Sequence, residues 1–211
     1  VLDLYKRTTT PERLRRNLEL MVGARFPLGT WTQNILGGPF ETVEEMKATV
    51  AINAESLIER TRFNMLSPYP GSPIHDYCLE HDLFADEDWD RNAIHGDRNV
   101  HGDRGTTRLK FPDEELAFLE KFNDIGHWYL NYFAPLGLQE IYAPLIEEVE
   151  KIPYGKWITN VDKYLKIESD ATRNLYKDKT QRYGSINGMV NDKLLGLIEP
   201  WDSPVLTASQ F

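Results

Sequence analysis

Apolar residues along the first third of the chain switch between two spacings. Leu14, Leu18, Met21 and Val22 recur at helical intervals, and Thr10-Pro11-Glu12 supplies an N-cap followed by proline at the first helical position, so a helix is predicted that Gly23 ends. From Pro27 to Leu36 the composition turns to Thr30, Trp31, Thr32 and Ile35, which suits a strand that Gly37-Gly38-Pro39 stops. Thr42 with Glu45 reads as a capping box opening a second helix, which Met46, Val50 and Ile52 carry to about Ile58. A second strand follows from Thr61 to Leu66. Pro68, Pro70 and Pro73 then stiffen a loop in which Gly71 allows a conformation closed to other residues, and a third helix is predicted from Pro73 to about His81.

This alternation predicts an α/β fold with parallel strands joined by right-handed crossovers, in an open sheet or as part of a barrel. Two parallel strands leave edges unpaired and one face uncovered, so more strands are expected from the rest of the chain or from a partner. Within the second strand Arg62 and Asn64 share one face and Phe63 and Met65 the other. The apolar pair is expected to pack on helices, and the polar pair to meet a polar or anionic ligand group.

Beyond Phe84 the pattern changes. Residues 85–111, charged and Gly-rich from Asp86 to Gly105, read as a linker, and residues 112–211 as a mainly helical extension. Leu116, Leu119, Phe122, Ile125, Trp128 and Tyr129 stripe a long helix from Pro112 to Phe133. Leu138 to Ile152 and Trp157 to about Tyr176 read as two further helices, and residues 185–211 as a loosely ordered tail without an obvious third strand.

With 41% hydrophobic residues in 211, the chain can bury a substantial core. Its 24 Lys and Arg against 33 Asp and Glu give a net charge of −9, which argues against a broad nucleic-acid or anionic-membrane surface. No apolar run approaches the roughly 18 residues of a membrane span, so a cytoplasmic location is the expectation. Cys78 is the only cysteine; it makes no intrachain disulfide, and it reads as a small buried residue on the helix after the proline loop. The chain starts at Val1 without an initiator Met and is expected to be a piece of something longer.

"IHGDRNVHGDRG" repeats His-Gly-Asp-Arg at 95–98 and 101–104. Imidazole and carboxylate suit zinc, iron or manganese, but the spacing matches no ligand motif, and Gly96, Gly102 and Gly105 favour a solvated linker. A loop that folds over a barrel mouth, with Arg98 and Arg104 meeting substrate, is a further option. His75 and His81 are expected at the surface, and the aromatic group His127-Trp128-Tyr129 with Tyr132 and Phe133 in the core. No Ser-His-Asp arrangement, Walker loop or dinucleotide fingerprint is present.

Three segments resemble, in order, the C-terminal half of radical S-adenosylmethionine enzymes, most closely the group with an additional cobalamin-binding domain. "VLDLYKRTTTPERL" is similar to the stretch after that family's fourth barrel strand, "NILGGPFET" to the fifth strand and its Gly-x-Pro-Gly-Glu-Thr turn, and "FNMLSPYPGSPIHDYCLEHDL" to the sixth strand and its loop. The resemblance covers residues 1–84 and implies the C-terminal part of a (β/α) barrel, whose active face lies at the carboxyl ends of the strands. It assigns adenine contacts to Ile35, Gly37, Asn64 and Leu66, and substrate contacts to Arg62 and Asn64. It further implies cleavage of S-adenosylmethionine to a 5′-deoxyadenosyl radical at a 4Fe-4S cluster, followed by methyl transfer or by an oxidative or cyclising reaction on a small-molecule or peptide substrate.

The sequence departs from the family in two places. Phe40 stands where the family has glycine before Glu41, so the backbone there is not expected to take φ > 0 freely and the turn is expected to be reshaped. The cluster motif Cys-x3-Cys-x2-Cys is absent, which places the cluster ligands, and any cobalamin domain, in an N-terminal part outside this chain. The competing reading is a non-catalytic module whose helical half binds a protein partner.

Overall fold

The computed structural model describes residues 9–23, 31–56, 58, 60–85, 107–135, 137–172 and 189–190. The fold is mixed α/β and mostly helical: α1 (Pro11–Gly23), β1 (Trp31–Leu36), α2 (Val43–Glu55), β2 (Arg60–Met65), α3 (Pro73–Glu80), α4 (Asp113–Phe133), α5 (Gln139–Glu150), α6 (Val161–Thr172) and β3 (Met189–Val190). The helix starts follow the sequence signals closely. The Thr10 hydroxyl accepts from the Arg13 N–H at 3.2 Å, and Thr42 and Glu45 close a reciprocal capping box at the head of α2. Ser72 caps α3, with Pro73 in its first turn. Two ends differ by a turn: α2 stops at Glu55, and α6 begins at Val161 after a turn in which the Val161 N–H bonds the Trp157 carbonyl.

β1 and β2 pair in parallel, with Trp31 opposite Arg60, Ile35 opposite Asn64 and Leu36 opposite Met65. The Leu66 N–H bonds the Leu36 carbonyl at 2.8 Å and carries the pairing one residue past the strands. β3 lies antiparallel on the start of β2, which corrects the expectation of a loosely ordered tail at these two residues: Arg60 and Thr61 present an edge that Val190 and Met189 pair. The His-Gly-Asp-Arg duplication, the first strand residues before Trp31 and the rest of the tail lie outside the described residues. Leu83 and Ala85 hydrogen-bond to Lys110 and Arg108, so the two ends of the segment predicted as a linker are pinned together beside α3.

One core joins the α/β part to the helical extension. Leu36, Val43, Met46, Val50 and Phe63 meet Phe118, Leu119, Phe122, Ile125, Trp128 and Tyr129 of α4, which in turn cover Tyr142, Leu145, Ile146 and Val149 of α5. The Phe63 ring stands edge-on to Phe122 at 5.2 Å, so the apolar face of β2 packs on a helix as its alternation predicts. Burying each such side chain contributes about 1.5–3 kcal/mol, and the long apolar stripe of α4 is what the sheet and α2 lean on.

Between the sheet and α2 sits a polar layer that the sequence does not announce. Thr32 donates to Asn53 at 2.6 Å, Asn34 donates to Thr61 at 2.7 Å, and Asn53 donates back to Asn34 at 3.0 Å. These bonds point Thr32 and Asn34 at α2 and so turn Trp31, Gln33 and Ile35 away from it. No helix among the described residues is long and apolar enough to cross a membrane.

Candidate functional site

Both parallel strands end in turns at the same end of the sheet. After Leu36 the chain runs through Gly37, at φ +76°, then Gly38, Pro39 and Phe40. A Cβ at Gly37 would lie 3.4 Å from Leu119 of α4, so the glycine provides both the left-handed backbone and a close approach to that helix. Phe40 itself takes φ +60°, contrary to the expectation that it would avoid that region, and its ring is 66% exposed. The reason lies in the next residue. Buried Glu41 folds back on the turn: its carboxylate accepts from the Gly38 N–H at 2.8 Å and its own N–H bonds the Gly38 carbonyl at 3.0 Å. These two bonds, with α2 capped directly behind them, over-determine the backbone at Phe40. Burial pushes the Glu41 carboxyl above the usual carboxylate range, a rise that the N–H groups of Gly38 and Gly37 partly offset.

The second turn, after β2, is held by its own backbone. The Ser72 N–H and hydroxyl both donate to the Tyr69 carbonyl, at 3.1 and 2.7 Å, and Gly71 takes φ +80° at the bend. Tyr69 is left exposed at the tip while Pro68 is buried beneath it. Behind the loop, Leu66 packs with Cys78, Phe84 and Leu109. His75 belongs to this cluster as well, which corrects the expectation of a surface residue. It lies one turn from Cys78 on the same side of α3, is buried, and tilts against Phe84 at 5.6 Å. His81 is exposed, as expected. Cys78 is fully buried, and desolvation pushes its thiol up to about 11, so it sits there as a protonated, small apolar residue.

The four residues that the resemblance assigns to an adenine separate into two environments. Ile35 and Asn64 lie opposite each other on the open face of the sheet, with Ile35 47% exposed and the Asn64 amide only weakly held, 3.5 Å from the Asn34 carbonyl. Gly37 and Leu66 are packed inward, against α4 and α3. Arg62, assigned to substrate, shares the open face with Asn64 and stands opposite Gln33. Trp31 and Gln33 lie on that face as well, and sequence reasoning passed over both. The signal was there, since both share the parity of Ile35 along β1. Among the described residues no group of three or more His, Cys, Asp or Glu is placed to hold a metal ion.

A second concavity, of about 340 Å³, opens between the first turns of α2 and α4 and the end of α5. Phe118, Ile152 and Tyr154 wall it, and Lys47, Lys121 and Glu150 supply its charges. Those charges are largely committed to the fold. Lys121 donates to the carbonyls of Val149, Glu150 and Ile152, and Lys47 pairs with Glu150 at 2.5 Å. Compared with the models of known protein families, with curated proteins and with solved structures, this chain finds no match.

Proposed function

We propose that this chain is the C-terminal part of a radical S-adenosylmethionine enzyme, its two parallel strands belonging to a (β/α) barrel completed by a part outside this chain. The observation that carries the reading is the pairing of Ile35 with Asn64 on the sheet face turned away from α2, close to two braced turns at the same end of the sheet. At the carboxyl ends of parallel strands such turns are where ligands sit.

In this reading Ile35 presents an apolar surface and Asn64 an amide to the adenine, while Gly37 and Leu66 shape the rim by holding β1 against α4 and β2 against α3. Arg62 and Asn64 orient the polar end of a small-molecule or peptide substrate. Glu41 keeps the turn closed. The 4Fe-4S cluster, with ligands outside this chain, supplies the electron for reductive cleavage of S-adenosylmethionine; cobalamin, on a further domain, would extend the chemistry to methyl transfer. The setting is cytoplasmic and reducing, where Cys78 stays a thiol.

Reading the gene upstream of Val1 is the first test, because an in-frame Cys-x3-Cys-x2-Cys motif is required. The encoded longer protein, reconstituted with iron and sulfide without oxygen and then reduced, is expected to release 5′-deoxyadenosine from S-adenosylmethionine. No release from a protein with a full cluster would end the reading. A non-catalytic module that binds a protein partner is the second reading, favoured by the exposed Tyr154, Ile158 and Ile167 of the helical half, and a start codon near Val1 would support it.

A further inference from the structure

Among the described residues, no counter-charge meets Arg62. Among the described residues its side chain makes no ion pair or hydrogen bond, and its Nε is buried without a partner. A buried donor left unpaired is costly, and in native proteins it calls for an explanation such as a bound ion. The surroundings narrow the choice. By strand alternation, positions 31, 33, 35, 60, 62 and 64 share one face and are Trp, Gln, Ile, Arg, Arg and Asn, with no carboxylate among them although the chain carries a net charge of −9. Gln33 lies directly opposite Arg62, and Trp31 and Ile35 flank it on the same face, 55% and 47% exposed.

A guanidinium offers a planar fork of donors that matches a carboxylate at two points. Exposed indole and aliphatic surface on either side of it suits a flat apolar body rather than a bare ion. We infer that the open sheet face binds a small carboxylate with a flat apolar body: the carboxylate on Arg62 with the Gln33 amide beside it, the body across Trp31 and Ile35. This rests on the reading above that the face lines a ligand site, and it names the class of molecule that site takes.

The test is titration of the full 211-residue chain with 3-phenylpropionate, followed through the indole N–H resonance of Trp31, which a Trp31→Phe variant assigns. Saturable shifts of Trp31 and Ile35 are expected, with acetate at least about tenfold weaker and 3-phenylpropylamine without effect. Arg62→Gln should weaken binding at least about tenfold, and Arg62→Lys, which keeps the charge and loses the fork, should weaken it by less. Equal binding of the amine, equal binding of acetate, or an Arg62→Gln variant with unchanged affinity would overturn the inference. If Arg62→Gln does not fold, a folded Arg62→Lys with unchanged affinity would overturn it as well. No cluster or S-adenosylmethionine enters this titration, so its failure leaves the 5′-deoxyadenosine assay to judge the enzyme reading separately.

Discussion

The Lys121 ammonium donates to the Ile152 carbonyl at 2.7 Å, and by that bond α4 closes the end of α5. It also reaches the carbonyls of Val149 and Glu150, at 3.0 and 3.4 Å, so all three of its N–H groups are committed to carbonyls at and just beyond the end of that helix. A lysine this deeply buried is unusual, and burial lowers its pKa although Glu150 and Glu120 favour the charge.

Lys121→Met keeps much of the volume and removes the donors. It is expected to cost about 1–3 kcal/mol, chiefly the desolvation of the Glu150 and Ile152 carbonyls, since that of Val149 keeps the Ile152 N–H. Urea denaturation gives the difference, and an unchanged midpoint would show that the carbonyls find other donors.

Acid should loosen the helical half through Glu168. Its carboxylate accepts from Tyr142 at 3.2 Å and meets His127 at 3.0 Å, joining α6 to α5 and α4. Burial raises its pKa, but the hydrogen bond and charge of His127, with Tyr142, outweigh burial and leave it below the usual carboxylate range. A folded pKa below the unfolded value gives stability that is full above about pH 4.3 and is lost as pH falls through the folded pKa. Melting temperature should therefore drop below that pH in the native chain, and drop less steeply in Glu168→Gln. Parallel acid limbs in the two proteins would contradict this.

Glu41 should act with the opposite sign. Its folded pKa is raised by burial, so its favourable contribution is full below the unfolded pKa of about 4.3 and is lost as pH rises through the folded value. Glu41→Gln keeps an oxygen for the Gly38 N–H and removes the buried charge. At pH 7 the variant is expected to be as stable as the native chain or more so, with the gap closing at pH 4; thermal melts at the two pH values read it, and a variant much less stable at pH 7 would refute the assignment.

The strain at Phe40 is separable from its side chain. A left-handed backbone costs an ordinary residue roughly 1–2 kcal/mol, and the exposed ring recovers little of it by packing. Phe40→Gly should stabilise the chain by about 1 kcal/mol, less than the full strain because glycine gains freedom when unfolded. Phe40→Ala, which keeps the strain, should change little. Equal midpoints for all three in urea would mean that the turn relaxes.

Where a feature depends on neighbours in sequence, the sequence carried it. Thr42 with Glu45, and Ser72 with Pro73, each mark a helix start that needs only the next turn of chain. The stripe from Leu116 to Tyr129 and the alternation of Arg62, Phe63, Asn64 and Met65 fix which face each residue shows, because helix and strand periods are set by backbone geometry alone.

What partners those faces meet was settled in three dimensions. His75 is buried because Phe84, nine positions on, folds back over α3, and Leu66 turns inward for the same reason. Lys121 finds carbonyls 28 to 31 residues away, and Asn53 finds Asn34 across 19. Phe40 is forced left-handed by a carboxylate that folds back on its own turn. Local rules assign each residue a direction, but only packing between distant segments decides which directions end in core, in a polar bond or in the open face that carries Arg62.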